Sequence, residues 1–77
     1  MFEVQSVIEI LSKTEEFFRR HGVPSPKLDA QLLLAHALGC KRLELFLRYD
    51  EPVVGEALEK MCDFARRRGR REPLQHI

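Results

Sequence analysis

Five arginines stand within six residues near the end of the chain, Arg66-Arg67-Arg68-Gly69-Arg70-Arg71, and they are its most conspicuous polar feature. A guanidinium offers a rigid fork of donors to carboxylates and phosphates. Such a cluster reads in two ways. It can be the solvated end of a helix, where cations complement the macrodipole. It can also be a binding patch for RNA, phosphate or an acidic protein surface. On a helical projection Arg68 falls in line with Met61 and the apolar stripe, whereas Arg66, Arg67 and Arg70 point away from it. Those three are the candidate partner-binding residues, and the solvated helix end is the plainer of the two readings.

The remaining reactive side chains do not assemble into chemistry. Asp29 and His36 lie seven residues apart on one helix, roughly 10 Å along its axis. That is too far for a hydrogen bond and wrong for a His-x-x-x-His metal pair, so both read as structural. His21 precedes Gly22 at a helix end, the place of a solvated cap. Gly22, Gly39, Gly55 and Gly69 are scattered and make no phosphate-binding loop. Cys40 and Cys62 have no companion at ligand spacing and read as buried or half-buried free thiols in a reducing cytoplasm. No Ser or Cys has a partner that would activate it as a nucleophile. The chain is therefore expected to hold no catalytic, cofactor-binding or metal residue of its own. A helix-turn-helix is rejected as well, and with it direct DNA binding. The would-be recognition helix Leu43–Tyr49 is apolar and lacks base-reading side chains.

The elements that carry these residues follow from caps and periodicity. Ser25 can cap a helix, Pro26 suits its first position, and Gly39 stands where a left-handed residue would end it. Between them Leu28, Ala30, Leu32, Leu33, Leu34, Ala35, Ala37 and Leu38 cover nearly the whole circumference. A helix apolar all round is expected to be surrounded by others. Upstream, a helix starts between Glu3 and Ser6, with a capping box at Ser6–Glu9, and closes at His21-Gly22. Its apolar face is Val4, Val7, Leu11 and Phe18, with Thr14 in the middle. Downstream, Leu43–Tyr49 predicts a two-turn helix. The last helix runs from Val53–Gly55 to Arg68–Arg71 on the stripe Val54, Ala57, Leu58, Met61, Phe64 and Ala65. Gly69 and Pro73 break it, leaving Glu72–Ile77 extended or turning.

The expected class is all-α: one domain over residues 1–77, a small bundle of four to five helices around a central apolar one. An apolar fraction of 44% with 32% charged residues is globular. No apolar run approaches the roughly 18 residues of a membrane span, and Met1-Phe2-Glu3-Val4 lacks a secretory n-region, so no membrane partner is expected. The net charge of +1 hides an asymmetry. Residues 1–65 carry eight Lys/Arg against eleven Asp/Glu, whereas residues 66–77 carry five Arg against Glu72 alone.

Three separated blocks carry a resemblance that spans Val4 to Ile77. They are Val23-Pro24-Ser25-Pro26-Lys27-Leu28-Asp29-Ala30-Gln31-Leu32-Leu33-Leu34-Ala35-His36-Ala37-Leu38-Gly39, then Leu43–Asp50, then Arg66-Arg67-Arg68 with Arg71-Glu72-Pro73-Leu74-Gln75-His76-Ile77. Together they resemble the N-terminal domain of the HemK/PrmC family, the release-factor glutamine methyltransferases. The resemblance implies a parent enzyme that uses S-adenosylmethionine to methylate the glutamine of the Gly-Gly-Gln motif in class I peptide chain release factors. It places the cofactor site and the Asn-Pro-Pro-Tyr motif in a Rossmann-like C-terminal methyltransferase domain. The family enters a β-hairpin linker where this chain stops, which implies an isolated domain or a truncated chain. No catalytic or cofactor residue carries over to any position here. What the resemblance leaves to the helical domain is helping to engage the release factor. The competing expectation is an autonomous helical module that binds RNA or an acidic protein surface through its arginines.

Overall fold

The computed structural model describes residues 4–77. The earliest expected start of the first helix, Glu3, and the residues Met1-Phe2 lie outside the described residues. Ser6 opens α1 (Val7–Arg20) with the expected capping box. The Glu9 amide donates to Ser6 Oγ at 3.4 Å, and Glu9 Oε1 accepts from the Ser6 amide at 3.1 Å. The bonds from Ser6 hold the Glu9 carboxyl below its ordinary pKa. Two further amides of the first turn, free in any helix start, find partners across the chain. Val7 donates to the Glu51 carbonyl and Ile8 to that of Tyr49, each at 2.9 Å. The same approach pairs β1 (Gln5–Ser6) with β2 (Pro52–Val53) as an antiparallel ladder, Gln5 opposite Val53 and Ser6 opposite Pro52. The caps and periodicity of the sequence predict no strand here. Val4, placed on the apolar stripe by that reading, precedes the ladder and is exposed.

α1 buries Val7, Ile10, Thr14 and Phe18, with Leu11 and Phe17 packed beside them. It closes at His21, an exposed cap whose Nδ1 lies 2.8 Å from the Phe17 carbonyl. α2 (Pro26–Leu38) keeps its predicted ends, although Ser25 caps differently. Its side chain makes no cap bond, and its carbonyl instead takes the Asp29 amide at 2.9 Å. Gly39 ends the helix at φ 72°, the left-handed conformation that glycine adopts without steric cost. The helix is not enclosed all round: Leu28 and Leu32 remain 43% and 38% exposed. α1, α3 and the turn after α2 pack on its other sides, burying Ala30, Leu33, Leu34, Ala35, Ala37 and also Gln31, while Lys27 and His36 stay exposed. Gln31 is tolerated there because its Oε1 accepts from Arg42 Nη1 at 3.1 Å.

The expected two-turn helix at Leu43–Tyr49 is a 3-10 helix, Arg42–Leu47. A period of three residues aligns Arg42, Leu45 and Arg48. Leu45 is buried, Arg42 reaches Gln31, and Arg48 pairs with Glu51. Leu43, Phe46 and Leu47 face water. α3 (Gly55–Gly69) rests on Met61, with Ala57, Leu58, Phe64 and Ala65 half-buried beside it. Val54, expected in this stripe, is the exposed residue before the helix. Gly69 does not interrupt the helix but is its last residue, buried against α1. A Cβ on it would stand 2.6 Å from Phe17 Cε2, so its hydrogen lets the two helices close together. A second 3-10 turn, Leu74–His76, follows. The class is all-α, a small helical bundle of three α-helices and two 3-10 helices with one two-residue ladder among the described residues.

Candidate partner-binding surface

The two C-terminal ends of α1 and α3 lie together, with Phe17 against Gly69 and Arg71 against His21 and Gly22. Two carbonyl-rich ends in one place attract cations, and the arginine run supplies them. The structure divides that run into engaged and unengaged side chains. Arg68 crosses to α2, where its Nε donates to Asp29 Oδ2 at 2.9 Å and its Nη1 to the Glu72 carbonyl at 3.1 Å. The pair is largely out of water, the side chains of Arg68 and Asp29 being 16% and 8% exposed. The Arg68 head is drawn out of water because a buried carboxylate lies within its reach. Asp29 serves as the ion-pair partner of Arg68.

Arg67, expected to point away, is turned back onto the tail. Its Nε meets Glu72 Oε2 at 2.9 Å and its Nη2 meets Glu72 Oε1, with a further bond from Nη2 to the His76 carbonyl at 2.9 Å. This fork holds the Glu72 carboxyl below its ordinary pKa and raises that of Arg67. Arg71 adopts a left-handed φ of 69° and its Nε donates to the His21 carbonyl at 3.0 Å. Arg67, Arg68 and Arg71 thus fasten the segment after α3 to the bundle. A spacing of five from Arg67 to Glu72 across a helix end was the local signal for the first of these. The Arg68–Asp29 pair spans 39 residues and had none.

Two of the three candidates remain outward. Arg70 is exposed and makes no ion pair or side-chain hydrogen bond among the described residues, and Arg66 is exposed with only a 3.4 Å contact to Asp63. Arg66 also stands at the rim of a groove of about 730 Å³ between α1 and α3. Lys13, Thr14 and Phe17 form one bank, and Leu58, Glu59, Cys62, Ala65 and Arg66 the other. Both cysteines are free thiols; Cys40 is half-buried, but Cys62 is exposed in this groove, contrary to its expected burial. His36 stacks on Phe64 with ring centroids 5.3 Å apart and makes no side-chain hydrogen bond or ion pair among the described residues. Among the described residues no three His, Cys, Asp or Glu side chains converge as a metal site would require, and no helix is long and apolar enough to cross a membrane.

Residues 9–77 match a family model described as the PrmC N-terminal domain. Curated relatives named release factor glutamine methyltransferase extend the match over nearly the whole chain. That of Rhodopirellula baltica is 40% identical over 72 residues, covering 94% of this chain and 24% of the relative. That of Deinococcus radiodurans is 41% identical over 69 residues, 90% of this chain and 25% of the relative. The Corynebacterium glutamicum protein is 46% identical over 70 residues, 90% of this chain and 23% of the relative. The chain therefore spans about a quarter of the length of the relatives it matches. No solved structure matches it.

Proposed function

The chain belongs to the PrmC N-terminal domain family, and from that premise we propose that it is the release-factor-engaging domain of a protein-glutamine methyltransferase. The parent enzyme transfers a methyl group from S-adenosylmethionine to the glutamine of the Gly-Gly-Gln motif of a class I peptide chain release factor. The present residues do not fit that cofactor. The only ladder among the described residues is two residues long, and Gly22, Gly39, Gly55 and Gly69 stand singly at helix ends. A nucleotide-binding turn needs its glycines together between a strand and a helix. Cofactor and chemistry belong to the C-terminal methyltransferase domain, and the role left for this chain is recognition. With this reading goes a cytoplasmic setting that keeps Cys40 and Cys62 reduced.

One observation carries the reading: over at least nine-tenths of its length, this chain is about two-fifths identical to the matching quarter of relatives with that name. The geometry adds a surface, since Arg66, Arg70 and Lys13 lack strong partners on one side of the bundle. The same geometry weighs against the RNA alternative. Arg67, Arg68 and Arg71 are engaged within the chain, which leaves too few arginines for a phosphate-tracking stripe. Calorimetric titration tests both readings, with the 77-residue chain titrated separately by a purified class I release factor and by a single-stranded RNA oligomer. Saturable heat with the release factor and none with RNA is expected. The converse pattern overturns the reading in favour of the RNA-binding module.

A further inference from the structure

We propose that the groove between α1 and α3 receives an amphipathic helix with acidic flanks, presented by the release factor. The inference deepens the functional reading above and rests on it. Thr14 and Phe17 on α1 are three residues apart, and Leu58, Cys62 and Ala65 on α3 follow one another by four and three. Those are the spacings by which a helix presents one continuous ridge. Two such ridges with an open apolar valley between them leave the seat for a further helix unfilled. Helix-in-groove recognition uses this geometry, with apolar anchors every three to four residues.

The charges at the rim select the occupant. Lys13 on one bank has no ion pair among the described residues, and Arg66 on the other has only its long contact with Asp63. Arg70 continues the Arg66 side one turn further on and is also unpaired. Arg20, on the α1 side, is held by Glu16 at 3.3 Å. Glu59 is the one carboxylate in the lining, about two turns before Arg66 on the same helix. An occupant whose apolar row is flanked by carboxylates facing Lys13 and Arg66 therefore satisfies both banks. Opposite Glu59 it needs a neutral or basic residue. A nucleic acid would leave the Phe17–Leu58–Ala65 floor without a partner.

Cys62 sits in the groove and reports on its occupancy. In a chain carrying Cys40→Ser it is the sole thiol, and its rate of alkylation by N-ethylmaleimide can be followed on the chain's mass. The probe is a class I release factor with its own thiols blocked, at a concentration where calorimetry shows the chain saturated. The expected result is at least a tenfold slowing of Cys62 alkylation. Lys13→Glu/Arg66→Glu, which alters only rim side chains, should weaken binding at least tenfold and restore the free rate. Leu58→Glu should do the same from the floor, and the rim variant keeps the test intact if this one does not fold. Release factor that binds while Cys62 reacts at its free rate overturns the groove and leaves the functional reading standing. No binding at all overturns both. Slowing that appears on concentrating the chain alone would seat a second copy there instead, and would also overturn the proposal.

Discussion

The Asp29 carboxylate and the Arg68 guanidinium meet at 2.9 Å with both side chains mostly out of water, so neither can be removed alone without stranding the other. Breaking a buried pair from one side costs roughly 3–5 kcal/mol. The residual exposure of Arg68 and its second bond, to the Glu72 carbonyl, reduce this to about 2–3 kcal/mol for Asp29→Ala, measured by urea melts. Asp29→Leu combined with Arg68→Met should recover most of that loss, because no charge is then left unpaired. Glu72 supplies a pH-dependent counterpart. Its folded pKa lies below the ordinary value because Arg67 stabilises the carboxylate. Its contribution is therefore complete above the ordinary carboxylate pKa and is lost as pH falls through the folded value. Glu9 and Glu51, lowered by Ser6 and Arg48, have the same sign. In melts at descending pH, the stability difference between the native chain and Glu72→Gln should shrink towards zero. A difference that grows on acidification would contradict the clamp. Of these residues, Ser6 and Glu9 were legible because a capping box is a local pattern of four positions. Asp29 and Gln31 were not, since their burial depends on Arg68 and Arg42, which approach from other elements.

Elements whose ends are set by nearby chemistry were read correctly from the sequence. Pro26 and Gly39 bound α2, and His21 closes α1 as expected. The β1–β2 ladder escaped notice because it is two residues long and arises where Tyr49–Val53 supplies acceptors to the start of α1. The 3-10 helix escaped because one buried leucine, Leu45, does not fix a period. Gly69 illustrates how packing can reverse a propensity. Alanine would be favoured by about 0.8–1 kcal/mol in a helix interior, but its Cβ would fall 2.6 Å and 2.9 Å from two atoms of the Phe17 ring. That ring also packs against His21, 4.2 Å away between centroids. Overpacking of about 1–3 kcal/mol outweighs the propensity gain, so Gly69→Ala should lose on the order of 1 kcal/mol in thermal or urea melts. Gly69→Ala with Phe17→Leu should recover it. A more stable single variant would mean that the two helices do not touch there.

Across the whole molecule, the charge asymmetry of the sequence resolves into engaged and unengaged side chains within one arginine run. Arg67, Arg68 and Arg71 fasten the chain after α3, whereas Arg66 at the rim of the groove and Arg70 one turn further on stay exposed. Composition located the basic end but could not separate these roles, because consecutive arginines differ only in what the fold brings to each. The proposed function has the unengaged cations steer the release factor to this chain. Its most direct test is the association rate of the chain with a class I release factor at two ionic strengths, native against Arg66→Glu/Arg70→Glu. Screening shortens from about 10 Å at 0.1 M salt to about 3 Å at 1 M, and steering acts mainly on association. A severalfold slower association is expected for the variant at 0.1 M, converging with the native rate at 1 M, with unchanged thermal stability. Equal rates at 0.1 M, or a deficit of the same size at both salts, would contradict the steering.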